Sequence, residues 1–174
     1  MLEWFAKTSS VTEMCLLVCG VIVFDQLYLT AILSKFYPQI FIWRKSENLK
    51  DVHVVPLLVF AVLLLLAAGV EELIFRYLFL GSCLPAVKEN VVFLIFVILF
   101  LSAAFGLAHY QKGKVTIPLC LLNQGVSGMM YSIIFLKCGG WAGDLTGLVI
   151  ATMAHWLSNL LIVLRTVHVP TGDY

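Results

Sequence analysis

Charge is scarce in this chain. Only 12% of its 174 residues are Asp, Glu, Lys or Arg, against about a quarter in soluble domains, which excludes an ordinary water-soluble fold. The 11 basic and 10 acidic residues nearly cancel to a net charge of +1, so nothing marks the chain as a nucleic-acid binder. The five cysteines, Cys15, Cys19, Cys83, Cys120 and Cys138, form no Cys-x-x-Cys pair. That spacing argues against a disulfide framework or a cysteine–zinc site, and the thiols read as small buried hydrophobes. No His-Glu-x-x-His occurs, so the common zinc-protease signature is missing. Sustained alternation of apolar and polar residues is missing too, which argues against the strands of a membrane barrel.

Apolar length is what the chain has instead. It is 61% hydrophobic with a mean hydropathy of +1.01. Several runs approach or exceed the ~20 residues a helix needs to cross a bilayer. The pattern predicts an all-α polytopic transmembrane bundle of about five spans around a buried polar site. The spans fall at 14–33, 52–80, 91–109, 118–137 and 145–164. A short interfacial segment ending in a helix cap precedes the first. Gly81, Pro85 and the polar Lys88-Glu89-Asn90 are expected to break the second. Asp25 and Gln26 read as a polar contact to another helix. Residues 1–51 form an N-terminal segment with one span and a basic interface loop carrying Pro38, Trp43, Arg44, Lys45 and Lys50. Residues 52–165 form a membrane core, and 166–174 a loose tail. Five spans place Lys35, Arg44, Lys45, Lys50, Lys112, Lys114 and Arg165 on the C-terminal side, against Lys7, Lys88 and Lys137 opposite. That bias predicts a cytoplasmic C-terminus and an external N-terminus.

Within these runs a few polar groups stand out. Glu71, Glu72 and Arg76 interrupt the second span, and each charge at the bilayer centre costs roughly 2.5–3.5 kcal/mol on insertion scales. Glu72 and Arg76 are four residues apart and can pair on one helix face. Glu71 then points about 100° away, toward other partners. His109 closes the third span behind Phe105, and His155 and Asn159 share one face of the fifth. The midpoint of 71 and 109 is Asn90, inside the polar break, so Glu71 and His109 meet at similar depth in an antiparallel hairpin. Taken singly, each group has a structural explanation: an ion pair, an interface histidine, an interhelical hydrogen bond, a core phenylalanine. Together they suit water activation. Desolvation makes a carboxylate a better base, a histidine can orient the water, and a second histidine with an amide can hold an oxyanion. Such a site needs no serine, cysteine, metal or other cofactor.

The ordered set resembles the CPBP family, the CAAX proteases and bacteriocin-processing enzymes also called the Abi family. Its three motifs, Glu-Glu-x-x-x-Arg, Phe-x-x-x-His and His-x-x-x-Asn, read here as Glu71-Glu72-Leu-Ile-Phe-Arg76, Phe105-Gly-Leu-Ala-His109 and His155-Trp-Leu-Ser-Asn159. The resemblance implies a glutamate-dependent intramembrane endopeptidase acting on a membrane-associated peptide or protein within the lipid bilayer, in a prokaryotic cytoplasmic membrane. It implies Glu71 as general base, His109 as its helper on water, His155 and Asn159 as oxyanion donors, and Glu72, Arg76 and Phe105 as supports. Tyr77 departs from the family, where glycine is frequent, and is expected to reshape the site entrance. Two other readings stand beside this one: a zinc metalloprotease, since Glu and His are zinc ligands, and a non-catalytic transporter, immunity or scaffold protein.

Overall fold

In the computed structural model, which describes residues 2–7, 9–28, 54–112 and 116–167, the regular elements are all helical. Helix α1 is Leu2–Ala6 and α2 is Val11–Leu27. Ser10 starts α2 with a capping box: the Glu13 N–H donates to Ser10 Oγ at 3.2 Å, and the Ser10 N–H donates to Glu13 Oε2 at 2.8 Å. Each bond satisfies a backbone donor that the first turn leaves unpaired. Predicted residues 29–33 of this span, the basic loop at 35–51 and the tail from 168 lie outside the described residues.

The second span is a single helical rod in three parts: α3 (Val54–Glu72), a wide-turn π segment (Leu73–Leu80) and α4 (Gly81–Val87). The expected break at Gly81 and Pro85 does not occur. Gly81 is helical (φ −57°, ψ −42°), and its N–H reaches back to the Arg76 carbonyl. Pro85 sits in the last turn, and nearby the Ser82 hydroxyl donates to the Leu78 carbonyl. Membrane helices tolerate proline where neighbouring groups and local π turns adjust the backbone, and this last turn follows the π segment directly.

Asn90 starts α5 (Val91–Ala108), its Oδ1 accepting the Phe93 N–H at 3.0 Å. Pro118 lies in the first turn of α6 (Ile117–Cys120), where a missing N–H costs nothing. A second π segment (Leu121–Gly125) joins it to α7 (Val126–Lys137). Gly139 (φ 128°) and Gly143 (φ 82°) turn the chain through a short 3₁₀ turn, Gly140–Ala142, into α8 (Leu145–Val167). Both φ values lie where residues with a Cβ are strained.

Four described helices are long and apolar enough to cross a membrane. Their outer faces are hydrophobic: Val92, Phe100 and Leu58 are exposed, whereas Glu72, Arg76 and His155 are buried. This distribution suits a surface covered by lipid, and the protein is an integral membrane protein. Exposure there follows lipid contact rather than hydrophilicity. Cys15 and Cys19 accordingly lie on the outside of α2, contrary to the expectation of buried thiols, while Cys120 and Cys138 are buried as expected.

Helix packing sets the depth of the site. Helix α8 runs antiparallel to α3, with Thr152 beside Gly69 and the Trp156 indole donating to the Ala61 carbonyl at 2.9 Å. Helix α5 presses against the second π segment: a Cβ on Gly106 would sit 2.8 Å from the Cys120 carbonyl oxygen and 3.0 Å from the Gly125 nitrogen. Helix α2 is tied at both ends. At its start Ser9 Oγ donates to the Lys137 carbonyl at 3.1 Å, and Lys137 Nζ donates to the carbonyls of Trp4 (2.7 Å) and Lys7 (2.9 Å). Near its end Asp25 and Gln26 make the predicted contacts to other helices, Asp25 with Ser127 and Gln26 with the Ser158 carbonyl.

Candidate active site

The sequence-predicted residues come from three helices and meet in one place. The last turn of α3 supplies Glu71 and Glu72, and the π segment supplies Arg76 one turn later. The C-terminal turn of α5 supplies Phe105, with His109 closing that helix. The middle of α8 supplies His155 and Asn159.

Glu72 is fully buried and engaged on both oxygens. Its Oε2 lies 3.2 Å from Arg76 Nε, and its Oε1 lies 2.9 Å from His155 Nδ1. Arg76 is 1% exposed, and its Nη2 donates to the Gly128 carbonyl at 2.9 Å. The guanidinium also lies over the Phe105 ring, 4.3 Å from its centroid. Phe105 has its edge or face near both histidines, 4.8 Å from the His109 ring and 5.8 Å from that of His155. It forms the apolar wall that keeps the Glu72–Arg76 pair dry.

Glu71, one residue earlier, faces differently. Its side chain is 32% exposed, and its Oε2 lies 3.7 Å from both His109 Nε2 and His155 Nε2. That oxygen is itself buried and accepts no hydrogen bond from a described residue. The proton positions on the two rings follow from their other contacts. The Phe105 carbonyl, 2.8 Å from His109 Nδ1, can only accept, so Nδ1 carries a hydrogen. The same holds for His155 Nδ1 against the Glu72 carboxylate. Each neutral ring therefore turns a bare Nε2 toward the Glu71 carboxylate. Three acceptors facing one another are held together only by a shared proton or a water that donates to them.

Asn159 follows His155 by one turn on the same face, half-buried, with no hydrogen bond among the described residues. Two further contributors were not placed at the site by the sequence, although Gly125 and Gly128 at near-helical spacing already pointed to close helix packing. The Tyr131 ring stacks on His155 with centroids 4.6 Å apart at 18°. Gly128 leaves room for the cluster: a Cβ there would lie 2.8 Å from the Phe105 ring and 3.1 Å from Arg76 Nη2. The only signal for Tyr131 was its position three residues after Gly128, on the same face of α7. Tyr77 does not reshape the entrance as expected. It is turned outward and lines a groove of about 370 Å³ with Pro85, Lys88 and Trp141, away from Glu71 and both histidines. Among the described residues no three His, Cys, Asp or Glu side chains are arranged to hold a metal ion.

Comparison with known proteins adds a family. A search of curated proteins and a search of solved structures each returned no significant match. A family model described as "Type II CAAX prenyl endopeptidase Rce1-like" matches residues 53–161. That stretch covers more than half of the chain and holds every residue of the polar cluster from Glu71 to Asn159. The chain therefore belongs to the Rce1-like type II CAAX prenyl endopeptidase family, and with it to the membrane peptidases.

Proposed function

We propose that the protein is a glutamate-dependent intramembrane endopeptidase that hydrolyses a peptide bond of a membrane-associated peptide or protein. The observation that carries this reading is the convergence of Glu71 Oε2 with the Nε2 atoms of His109 and His155, each at 3.7 Å. A water bound there donates one hydrogen to Glu71 and one to His109, which leaves an oxygen lone pair for a substrate carbonyl. As the water oxygen bonds to the carbonyl carbon, Glu71 takes its proton. The new oxyanion is met by the Asn159 amide and by His155, whose Nε2 carries the proton shared within the cluster while Glu72 holds Nδ1. Collapse breaks the C–N bond, and the proton on Glu71 passes to the leaving amine. The water's second hydrogen leaves the new carboxyl group through His109, so the products are a carboxylate and an amine.

Glu72 serves the chemistry indirectly. Its contacts with Arg76 and His155 tie α8 to the rod that carries Glu71, the preorganisation that makes such donors effective. The apparent distances of 3.7 Å are longer than hydrogen bonds, and catalytic contacts commonly tighten once substrate is bound. The loop charges orient the C-terminus, and with it the His109 end of α5, toward the cytoplasm.

A second reading, a zinc metalloprotease, rests on donor type alone: two imidazole nitrogens and a carboxylate are those of a catalytic zinc, although among the described residues no such trio is arranged to hold a metal. One experiment separates the readings. Purified wild type and Glu71→Gln are given fluorogenic peptides, both prenylated C-terminal CAAX peptides and unprenylated membrane-anchored ones, with and without chelator. Chelator-resistant cleavage that is lost in Glu71→Gln is expected. Cleavage by pure Glu71→Gln protein overturns the proposal. Chelator-sensitive cleavage with stoichiometric zinc selects the metal enzyme, and biological function persisting in a Glu71→Gln/His155→Ala double variant selects a scaffold.

A further inference from the structure

The groove of about 370 Å³ beside Tyr77 belongs to no part of the polar cluster. One wall is a stripe of the second rod: Tyr77, Gly81, Pro85 and Lys88 follow one another at steps of four, four and three residues. At 1.5 Å per residue the stripe is about 16 Å long. The other wall is Phe135 of α7 and Trp141 of the 3₁₀ turn. Most of this lining is apolar, and it opens on a molecule whose outer faces are hydrophobic.

One end of the groove is different. Lys88 Nζ lies 5.7 Å from the centre of the Trp141 ring. That indole is held in place from behind, stacked on Phe5 of α1 with centroids 5.7 Å apart at 22°. Lys88 forms no ion pair among the described residues, and the Trp141 indole N–H donates to none of them. The nearby carboxylates do not supply the counter-charge. Glu89 does not pair with Lys88, and the Asp144 carboxylate is occupied by the N–H and hydroxyl of Thr146, each at 2.9 Å. Two free donors, one of them cationic, thus sit at the mouth of an apolar slot. A lysine beside a tryptophan is the usual anchor pair of a membrane surface. The mouth lies at the start of α5, whereas His109 closes that helix about 27 Å further on. The groove and the polar cluster therefore open toward opposite ends of the span.

We propose that this groove is a binding site for one anionic phospholipid, whose phosphate is met by Lys88 Nζ and the Trp141 indole N–H and whose acyl chain lies between Phe135 and the Tyr77–Pro85 stripe. Charge complementarity selects the headgroup, since a lysine near the membrane surface attracts anionic lipid. The length and apolar lining of the slot select a chain rather than a free anion. The site is independent of the proposed peptide hydrolysis and needs only that the protein sits in a bilayer.

Delipidated protein in detergent is given phosphatidylglycerol or phosphatidylcholine with identical acyl chains, and bound lipid is counted by native mass spectrometry. Wild type is expected to retain one phosphatidylglycerol in preference to phosphatidylcholine. Lys88→Gln changes an exposed side chain and is expected to weaken phosphatidylglycerol binding about 5-fold, the size of one lysine contact with anionic lipid, and to erase the preference. Gly81→Leu narrows the slot and is expected to displace both lipids. A Cβ at Gly81 meets only the Arg76 carbonyl oxygen at an ordinary 3.6 Å, so the helix accepts a side chain there. Lys112→Gln, beyond the His109 end, keeps the wild-type preference. Equal retention of the two lipids by wild type overturns the inference, as does an unchanged preference in Lys88→Gln. An equal loss in Lys112→Gln overturns it too, because the attraction would then be spread over the surface. A dimer that Gly81→Leu breaks would make a second copy the occupant and likewise overturn it. If Gly81→Leu does not fold, the comparison of Lys88→Gln with Lys112→Gln decides alone.

Discussion

Glu71 and Glu72 are neighbours in the chain with opposite surroundings. Glu72 is fully buried and gives both oxygens to protein, one to Arg76 and one to His155. Glu71 is about a third exposed and turns its Oε2 toward two imidazole nitrogens. The helix alone creates the difference, since consecutive residues point about 100° apart. In the proposed mechanism one carboxylate serves structure and the other chemistry.

The two should therefore fail differently when changed. Glu72→Gln and Arg76→Leu each leave a buried charge without its partner, at a cost of about 3–5 kcal/mol. Both variants are expected to unfold at clearly lower temperature in detergent. Glu71→Gln should melt like the wild type and lose activity by roughly 10²–10⁴-fold, the usual size of a missing general base. Equal melting of Glu72→Gln and wild type would contradict this division.

Asn159→Ala tests the oxyanion role. The amide makes no hydrogen bond among the described residues, so its loss should leave folding intact. Removing one oxyanion donor lowers kcat about 10²–10³-fold, and a steady-state titration should put the loss in kcat with KM little changed. A loss confined to KM would make Asn159 a substrate-binding residue.

Two glycines should resist even a methyl group, for different reasons. At Gly106 the added Cβ meets backbone on both sides, 2.8 Å from the Cys120 oxygen and 3.0 Å from the Gly125 nitrogen. Those atoms cannot move without separating two helices, so Gly106→Ala is expected to cost about 1–3 kcal/mol of stability. At Gly128 the methyl meets the Phe105 ring and Arg76 Nη2 instead. Gly128→Ala should therefore reduce activity more than it lowers the melting temperature, because it pushes on the groups around the site. Comparing melting and kcat for both variants checks this.

Acid should weaken the loop ahead of α8. The backbone N–H of Thr146, and then its hydroxyl, hold the Asp144 carboxyl below the usual aspartate value. A lowered folded-state value means the contribution is present above the ordinary aspartate range of about 4 and is lost as pH falls through the lower, folded value. Asp144→Asn should remove that part of the acid sensitivity. Melting temperature followed from neutral pH down to about pH 2 should be flatter for the variant than for the wild type. Parallel curves would show that the loop does not depend on this carboxylate.

Much of the cluster was legible because the helix period is so regular. The four-residue spacings of Glu72–Arg76, Phe105–His109 and His155–Asn159 needed only a helix to become one-face pairs. The symmetry of 71 and 109 about Asn90 needed only a hairpin, and the two side chains do meet at 3.7 Å. The level of His155 could not be read, because it depends on the connection between α5 and α6. The continuation through Gly81 and Pro85 was hidden as well, since both residues signal a stop, yet Gly81 takes helical angles and Pro85 falls in the last turn, so the helix runs on to Val87. Tyr131 was hidden for another reason: an aromatic in an apolar run looks the same whether it faces lipid or stacks on a histidine. Cys15 and Cys19 were misplaced because the link between apolar and interior weakens when the solvent is hydrocarbon.

The π segment from Leu73 to Leu80 has a consequence for how this helix tolerates change in length. Wide turns hold more residues than α turns, so the segment acts as stored slack between the carboxylates and the Gly81–Val87 end. Deleting one residue there lets the coil tighten to 3.6 residues per turn. The same deletion within Val54–Glu72, where no slack is held, would swing everything on its far side by about 100°. A length change that is ruinous in most of this rod is thus partly absorbed next to its most exacting residues.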